Sequence, residues 1–363
     1  MAMNHSKLSL AVIFGGVSSE HEVSRMSATS ILENLSPEQY DVHMVGITKK
    51  GQWLLYTGEV KDILSGAWEQ GPVAPAFLSP DPTVHGLVVL RDGKAETLRL
   101  DVIFPALHGK NGEDGTIQGL FQLSQIPYVG CDTESSAICM DKAVTHTLLS
   151  AADIEQAHYL WFYADRFDAA PDTIKKKIKA RLDFPVFVKP ANAGSSVGIS
   201  KVSNREELKK AIALALENDR KVVFEAFVDG QEVECAVIGS DPAVATRPGE
   251  ILAGAEFYTY DDKYKNGVSQ TVIPAHLPEE KLDEVKTYAA MAYTALGCEG
   301  LARCDFFVEK GTGRVMINEI NTFPGFTSIS MYPKLMEHEG LPVPALIDRL
   351  IELALERTEK QHG

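Results

Sequence analysis

Residues 301–321 read LARCDFFVEKGTGRVMINEIN, in which two largely apolar runs lie on either side of a Gly-Thr-Gly sequence. The runs predict two β-strands, Leu301–Val308 and Val315–Ile320. The glycines predict a three-residue turn, so that the strands form an antiparallel hairpin in which Lys310 pairs with Arg314. This pairing decides which polar side chains share one face of the sheet.

The predicted register brings four polar side chains of the hairpin together. Asp305 lies opposite Glu319, and Arg303 lies opposite Asn321. Because side chains alternate between the two faces of a strand, all four lie on one face. Two carboxylates and an amide oxygen are hard ligands that suit Mg²⁺ when nucleotide phosphates complete the shell. The alternative is an exposed sheet face with an ordinary ion pair, and a slip of one residue would separate the two carboxylates.

Composition and charge exclude several classes of protein. The chain has 363 residues, 45% hydrophobic and 23% charged, which is enough for two or three globular domains. Its net charge of −15 argues against a nucleic-acid or anionic-membrane partner. The five cysteines include no C-x-x-C pair, as is typical of reduced, buried thiols. We find no signal peptide and no run of ~18 apolar residues, and therefore expect a soluble, cytoplasmic protein.

The order of apolar segments divides the chain into three parts. The first, 1–140, opens with a strand at Leu8–Phe14 and alternates strand, helix and strand, which indicates a doubly wound parallel sheet. Its proline-rich and glycine-rich stretch Gly71–Pro82 predicts a surface loop. The parts 141–230 and 231–363 mix strands and helices less regularly. We predict an α/β (α+β) fold.

Two lysines lie where phosphates could bind. Lys189 ends a short strand and precedes a loop of small residues up to Gly198, so that an ammonium and backbone N–H groups could surround phosphates. Lys142 begins a helical pattern. Glu225 and Glu232 flank a turn and could accept hydrogen bonds from a ribose or an adenine. The loop after Lys189 is not a Walker A motif. The alternative for this loop is a plain turn, and the alternative for Lys142 is a surface lysine without a ligand.

Taken in order, these elements resemble the ATP-grasp superfamily, and within it the D-alanine–D-alanine ligases. The resemblance runs from about residue 8 to residue 357. It rests on the ordered combination of motifs, which are Phe14-Gly15-Gly16, Ser19 to Ser24, Leu107-His108-Gly109, Gly112 to Gly115, Cys139 to Lys142, Val188-Lys189-Pro190, Gly194 to Gly198, Asp262-Lys263-Tyr264, Ala302 to Asp305, Asn318 to Thr322, and Pro324 to Thr327.

The resemblance implies a fold and a reaction. The fold is the ATP-grasp fold, with boundaries near residues 140 and 230. In the reaction, ATP phosphorylates the carboxylate of one D-alanine, and the amine of a second D-alanine displaces phosphate, giving D-alanyl-D-alanine for peptidoglycan synthesis. Two Mg²⁺ ions, or Mn²⁺, would assist. The family also implies a homodimer.

The resemblance also implies a role for each site residue. The first substrate's ammonium would bind Glu20, and the oxyanion would be stabilised by Arg303 and the Gly325 N–H. The catalytic set is Glu20, Ser195, Tyr264, Arg303, Gly325 and Ser330. The substrate contacts are Glu20, His108, Lys263, Arg303, Ser330 and Met331. The ATP contacts are Lys142, Lys189, Ser195, Ser196, Glu225, Glu232, Lys263, Asn318 and Glu319. The metal ligands are Asp305, Glu319 and Asn321.

The segment Phe257 to Gln270 resembles the family's closing lid, which Ser195 and Tyr264 would link to Glu20. By the same resemblance, Tyr264 would favour an amide product over D-alanyl-D-lactate. Three other functions compete with this interpretation. They are another ATP-grasp amino-acid or peptide ligase, a nucleotide-binding regulatory module, and a dehydrogenase suggested by Gly15-Gly16, although no G-x-G-x-x-G is present.

Overall fold

Three β-sheets organise residues 7–252 and 270–362, the parts of the chain that this computed structural model describes. The first sheet has seven strands in the order β6-β5-β4-β3-β2-β1-β7. Their bounds are Leu8–Gly15 (β1), Tyr40–Ile47 (β2), Trp53–Tyr56 (β3), Val73–Leu78 (β4), Gly86–Arg91 (β5), Lys94–Arg99 (β6) and Val102–Ala106 (β7). The helices of this part are His21–Asn34 (α1), Val60–Ser65 (α2), Thr116–Ser124 (α3) and Thr133–Met140 (α4), with a 3₁₀ helix at Ala67–Gln70.

The first sheet is parallel at its core and antiparallel beyond it. Strand β1 pairs in parallel with β2 and with β7, as the strand–helix–strand alternation predicted. Strands β3 to β6 extend the sheet in antiparallel fashion. The predicted surface loop Gly71–Pro82 is wrong, because β4 lies within it. Hydrogen bonds to strands on both sides and the burial of Ala76 and Leu78 outweigh the weak strand propensity of its proline.

The second sheet is antiparallel, with the order β10-β9-β11-β8. Its strands are Tyr159–Tyr163 (β8), Val186–Pro190 (β9), Ser200–Val202 (β10) and Lys221–Ala226 (β11). The helices of this part are Lys142–Ala151 (α5), Ala164–Ala169 (α6), Pro171–Arg181 (α7) and Leu208–Leu216 (α8). Buried Ile178 and Ile212 from α7 and α8 share a core with Val188 of β9. Lys189 follows this buried residue and, by strand alternation, points to the opposite face.

The third sheet contains the hairpin. Within the described ranges its strands are Gly230–Gly239 (β12), Val244–Ala245 (β13), Gly249–Leu252 (β14), Gln270–Val272 (β15), Gly300–Glu309 (β16) and Val315–Asn321 (β17). The order is β15-β14-β12-β16-β17, and β13 pairs with β12. The remaining helices are Glu279–Ala295 (α9), Met331–His338 (α10) and Val343–His362 (α11). Helix α9 packs buried Val285, Ala289 and Ala292 against this sheet.

The hairpin agrees with the prediction at the polar face and differs from it at the turn. Asp305 pairs with Glu319, as predicted, and the predicted pairing of the two residues at 303 and 321 is also confirmed. The three-residue turn is wrong, because the Glu309 N–H donates to the Arg314 carbonyl at 2.9 Å and four residues form the loop. A β-bulge between Asp305 and Phe306 takes up the one-residue offset.

The first and third parts share a core. Phe323 and Phe326, in the loop after β17, lie edge-to-face against Phe104 of β7, with ring centroids 6.1 and 6.2 Å apart. Arg357 of α11 donates to the carbonyls of Tyr128 and Gly130, both at 2.7 Å. The loop after β17 is therefore packed against the N-terminal sheet. None of the helices in residues 7–252 and 270–362 has the length and apolar character to cross a bilayer.

Candidate active site

A cleft of about 810 Å³ lies where the three parts of the chain meet. Each part contributes predicted site residues to its lining. They are Glu20 and His108 from the first part, Lys142, Lys189, Ser195, Ser196 and Glu225 from the second, and Glu232, Arg303, Asp305, Asn318, Glu319, Asn321, Gly325, Ser330 and Met331 from the third. Residues more than 300 positions apart in the sequence thus line one cavity.

The hairpin wall of the cleft carries a buried ion-pair network. Arg303 donates from Nε and Nη2 to the two oxygens of Asp305, both at 2.7 Å. Its Nε also lies 3.0 Å from Glu234 Oε2 on β12. Burial alone would lower the pKa of Arg303, but Asp305 and Glu234 raise it well above its usual value. The guanidinium is held in one orientation on a rigid sheet.

The predicted metal ligands fit an Mg²⁺ ion whose coordination is shared between the protein and a nucleotide. Asn321 Nδ2 donates to Asp305 Oδ2 at 3.0 Å, and Glu319 is paired with Asp305 across the strands. Among the described residues, no group of three or more His, Cys, Asp or Glu side chains could hold a metal ion. Two carboxylates and one amide oxygen are the donor set of a metal whose other ligands are water and nucleotide phosphate oxygens, as is usual for Mg²⁺.

The bulge in the hairpin directs two consecutive side chains of β17 into the cleft. Asn318 is the extra residue of β17, since Phe306 pairs with Ile317 while Asp305 pairs with Glu319. Regular alternation would send two consecutive side chains to opposite faces, whereas a bulge re-aims one of them. Asn318 and Glu319 accordingly both line the cleft.

The opposite wall carries the two predicted phosphate lysines. Lys189 Nζ donates to Glu225 Oε2 at 2.5 Å, and His146 Nε2 lies 3.0 Å from Glu225 Oε1. Burial by itself would raise the pKa of Glu225, but Lys189 and His146 outweigh it and hold the pKa well below its usual value. Lys142 Nζ donates to the Ala193 carbonyl at 2.9 Å and lies 3.9 Å from Glu319 Oε2. Lys142 thus reaches towards the hairpin wall.

The small-residue loop after β9 connects this wall to the first part of the chain. Ser195 Oγ donates to Glu20 Oε1. Ser195 and Ser196 have φ angles of 49° and 60°, a left-handed conformation that costs energy in non-glycine residues. A Cβ added at Gly194 would lie 3.2 Å from Glu20 Oε2, so glycine allows the close approach.

The loop after β17 and the start of α10 complete the cleft. Ser330 occupies the N-cap position of α10, but its side chain does not cap the helix. Instead, its Oγ accepts a hydrogen bond from the Thr327 N–H at 3.1 Å and lies 2.8 Å from the Thr327 hydroxyl. Met331 follows, largely buried at the cleft. Lys263, Tyr264 and the predicted lid, except its last residue Gln270, lie outside the described residues.

Three polar residues of the site have no role in the sequence-based prediction. Glu234 lies two positions after Glu232 on the same strand, and alternation could have placed it on the same face. His146 follows Lys142 by one helical turn. Glu113 is half-buried in the cleft lining, and desolvation first and Glu20 second raise its pKa to about 8. Its burial depends on tertiary contacts that the sequence does not reveal.

The cleft has a lysine wall, with Lys189 on one antiparallel sheet and Lys142 at the start of α5, and a facing wall of carboxylates on a second antiparallel sheet. This arrangement is that of an ATP-grasp enzyme. Residues 9–131 match the family described as D-ala D-ala ligase N-terminus, and residues 148–352 match D-ala D-ala ligase C-terminus. The chain belongs to the D-alanine–D-alanine ligase family.

Curated relatives and solved structures agree with this assignment. The D-alanine–D-alanine ligase of Caldicellulosiruptor bescii is 50% identical over 98% of this chain and 97% of its own. That of Acetivibrio thermocellus is also 50% identical, over 97% and 96%. The VanG D-Ala:D-Ser ligase from Enterococcus faecalis is 42% identical with a TM-score of 0.88, covering 96% of this chain and 100% of that one. The D-alanine-D-alanine ligase from Coxiella burnetii is 33% identical with a TM-score of 0.84, covering 98% and 96%.

Proposed function

We propose that this protein joins two D-alanine molecules into D-alanyl-D-alanine with the conversion of ATP to ADP and phosphate, a step of peptidoglycan precursor synthesis. The observation that carries the proposal is the convergence on one cleft of Glu20, Arg303 and the lysines at 142 and 189. A carboxylate, a guanidinium and two ammonium groups match an amino-acid ammonium, a developing oxyanion and nucleotide phosphates.

The residues act mainly by positioning and by charge stabilisation. Glu20, oriented by Ser195, binds the ammonium of the first D-alanine, whose carboxylate oxygen attacks the γ-phosphorus of ATP and displaces ADP. The amine of the second D-alanine attacks the resulting acyl phosphate. Arg303 and the Gly325 N–H stabilise the tetrahedral oxyanion, which collapses with loss of phosphate.

The second substrate binds near Ser330 and Met331, with Lys263 and Tyr264 contributing from the lid. The nucleotide lies between the two walls, with Lys142, Lys189 and the serines at 195 and 196 at its phosphates. Its adenosine is bound near Glu225 and Glu232, and Asn318 and Glu319 complete its contacts. Asp305, Glu319 and Asn321 would hold two Mg²⁺ ions, which would neutralise phosphate charge.

D-Serine is the alternative to D-alanine as the second substrate, the amine that attacks the acyl phosphate. The structure of the D-Ala:D-Ser ligase is 42% identical to this chain, more than the 33% of the Coxiella burnetii ligase structure. The two relatives at 50% identity favour D-alanine as the acceptor. The Met331 side chain at the cleft is where a hydroxymethyl group and a methyl group would be distinguished.

Phosphate release from ATP and Mg²⁺ tests the proposal. We expect turnover with D-alanine alone, little with L-alanine, and mass-spectrometric detection of D-alanyl-D-alanine. Parallel reactions with D-alanine plus D-serine or D-lactate rank the acceptors. Turnover with L-alanine but not with D-alanine would exclude the proposed substrate, and ATP binding without turnover would favour a regulatory module.

The homodimer implied by the family is part of the same proposal. Sedimentation velocity of the purified protein at micromolar concentration should give the mass of two chains of 39.7 kDa. A monomeric mass that persists across concentrations would contradict it. The titration of activity with Mg²⁺ and Mn²⁺ tests the metal requirement. The number of metal ions bound per chain in the presence of nucleotide tests the proposed pair of ions.

A further inference from the structure

The backbone on both sides of Gly325 is held by side chains from the first part of the chain. Glu113 Oε1 accepts from the Phe323 N–H at 3.3 Å, and His108 Nδ1 lies 3.0 Å from the Phe323 carbonyl oxygen. Ser27 Oγ accepts from the Phe326 N–H at 3.1 Å. We refer to the three side chains, Ser27, His108 and Glu113, as the loop clamp.

The hydrogen-bond directions in the loop clamp have one consistent solution. A carbonyl oxygen can only accept, so His108 Nδ1 carries a proton and donates to Phe323. Ser27 lies 2.8 Å from His108 Nε2 and donates its hydroxyl proton there, because it already accepts from Phe326. Burial lowers the pKa of His108 below its usual value, which keeps the ring neutral as this pattern requires.

Glu113 joins two loops through its two oxygens. Oε2 accepts from the Gly109 N–H at 2.6 Å, and Oε1 accepts from Phe323. In its ionised form the carboxyl accepts at both positions, and the two N–H donors favour that form against burial and Glu20, which raise the pKa to about 8. The amide of a glutamine presents an NH₂ group at one of the two positions. Glutamine at this position would leave a backbone N–H facing another donor.

The loop clamp is buried at Ser27 and His108 and half-buried at Glu113, so its bonds are not readily replaced by water. Ser27 and Phe326 have no exposed surface, and His108 and Phe323 are each 4% exposed. Unmaking a buried hydrogen bond leaves a polar group unsatisfied, which costs about 1–3 kcal/mol. The position of the peptide at Gly325 is therefore fixed by its neighbours on either side.

We propose that Ser27 and Glu113 are positioning residues for the ligation reaction, acting through Phe323 and Phe326 to set the Gly325 N–H at the oxyanion site. This proposal rests on the proposed function. Because His108 and Glu20 lie in the same cleft lining, the loop clamp also makes the first-substrate subsite and the oxyanion donor one rigid unit. The residues themselves need not touch substrate.

A matched pair of serine variants tests the proposal. Ser136 in α4 is also fully buried, and its hydroxyl has no hydrogen-bond partner within the described part of the chain. We expect Ser27→Ala to lower kcat roughly 10- to 100-fold, because small misplacements of a catalytic group have effects of this size. The KM for ATP should stay close to the wild-type value. Ser136→Ala should change neither constant.

Glu113→Gln is the second variant, assayed above the Glu113 pKa of about 8, and should show the same division between kcat and the KM for ATP. In both variants, a phosphinate dipeptide, whose tetrahedral oxygen imitates the oxyanion, should inhibit less strongly than it inhibits the wild type. A Ser27→Ala enzyme as active as Ser136→Ala would overturn the proposal. A KM for ATP that rises by the same factor as kcat falls would also overturn it, since that indicates general loss of structure.

Hydrogen exchange separates this proposal from the proposed function. The Phe326 amide should exchange faster in Ser27→Ala than in Ser136→Ala, because only the former loses the acceptor of that N–H. Equal exchange rates would show that Ser27 does not hold the loop. If the wild-type protein did not turn over D-alanine, the proposed function would fail, and the exchange comparison would still decide whether the clamp exists.

Discussion

The two walls of the cleft hold their charges in different ways. On the hairpin wall, Arg303 and Asp305 are side chains of one strand, and the pairing of three strands fixes their distances. On the lysine wall, Lys189 reaches Glu225 on the neighbouring strand through a long, flexible side chain. Rigid carboxylates can impose a geometry on a metal, whereas lysines can follow the phosphates as they move. Predictions on each wall test this difference.

Removing Arg303 should have the largest effect. Arg303→Ala should lower kcat roughly 10²- to 10³-fold with little change in ATP affinity, because oxyanion stabilisation acts in the transition state. Steady-state kinetics and ATP titration measure the two effects. Arg314→Ala is the control, since Arg314 pairs with Glu309 at the exposed end of the same hairpin. Equal losses of turnover and ATP affinity in Arg303→Ala would indicate a structural role.

Removing the charge of Lys189 should affect stability and nucleotide binding together. Lys189→Met leaves the buried Glu225 with His146 as its remaining partner among those described, so the free energy of unfolding should fall by about 1–3 kcal/mol. The affinity for ATP should also fall. The double variant Lys189→Met/Glu225→Gln should regain stability without regaining ATP affinity. Recovery of both in urea denaturation and ATP titration would contradict a phosphate-binding role for Lys189.

Removing the charge of Glu319 should weaken metal-dependent binding. Glu319→Gln should raise the Mg²⁺ concentration for half-maximal activity roughly 10-fold or more, an effect typical of damage to a metal site. The matched control is Glu309→Gln, on the same hairpin but paired with Arg314 away from the cleft. An unchanged Mg²⁺ dependence in Glu319→Gln would exclude this residue as a ligand.

The pH dependence of stability should show the smallest effect. The pKa of Glu225 is lowered in the folded state, so its stabilising contribution is present above the unfolded value of 4.5 and is lost as the pH falls. If the folded carboxyl stays ionised to pH 4, the loss between pH 6 and pH 4 is about 0.8 kcal/mol. Glu225→Gln should lack this part of the slope in denaturation curves. An identical slope in the variant would contradict the low pKa.

The sequence predicted the polar face of the hairpin but not the way in which it forms. The pairing of Asp305 with Glu319 is correct, yet the predicted turn is one residue too short. The bulge at Asn318 cancels this error. Bulges arise from the competition between turn geometry, packing and twist over a whole ladder, which local patterns do not contain. Similarly, Val73–Leu78 becomes a strand because two neighbours supply its hydrogen bonds.

Local chemistry in the sequence determined much about this protein. Short apolar runs predicted the strands at Leu8–Phe14, Leu301–Val308 and Val315–Ile320, the glycines after residue 310 predicted the hairpin turn, and the ordered motifs indicated the family. Side-chain identity alone shows that Asp305 and Glu319 suit a hard metal ion, because ligand preference is a property of the functional groups.

The tertiary structure alone decided how these groups meet. The bond of Glu113 to the Phe323 N–H, the link from Ser195 to Glu20, and the contact of Ser27 with Phe326 all join residues that are far apart in the chain. Such contacts depend on how sheets and loops pack, and many sequences with the same local patterns would pack differently. The sequence therefore determined which functional groups are available at the site. Their distances, burial and mutual orientation depend on the tertiary structure.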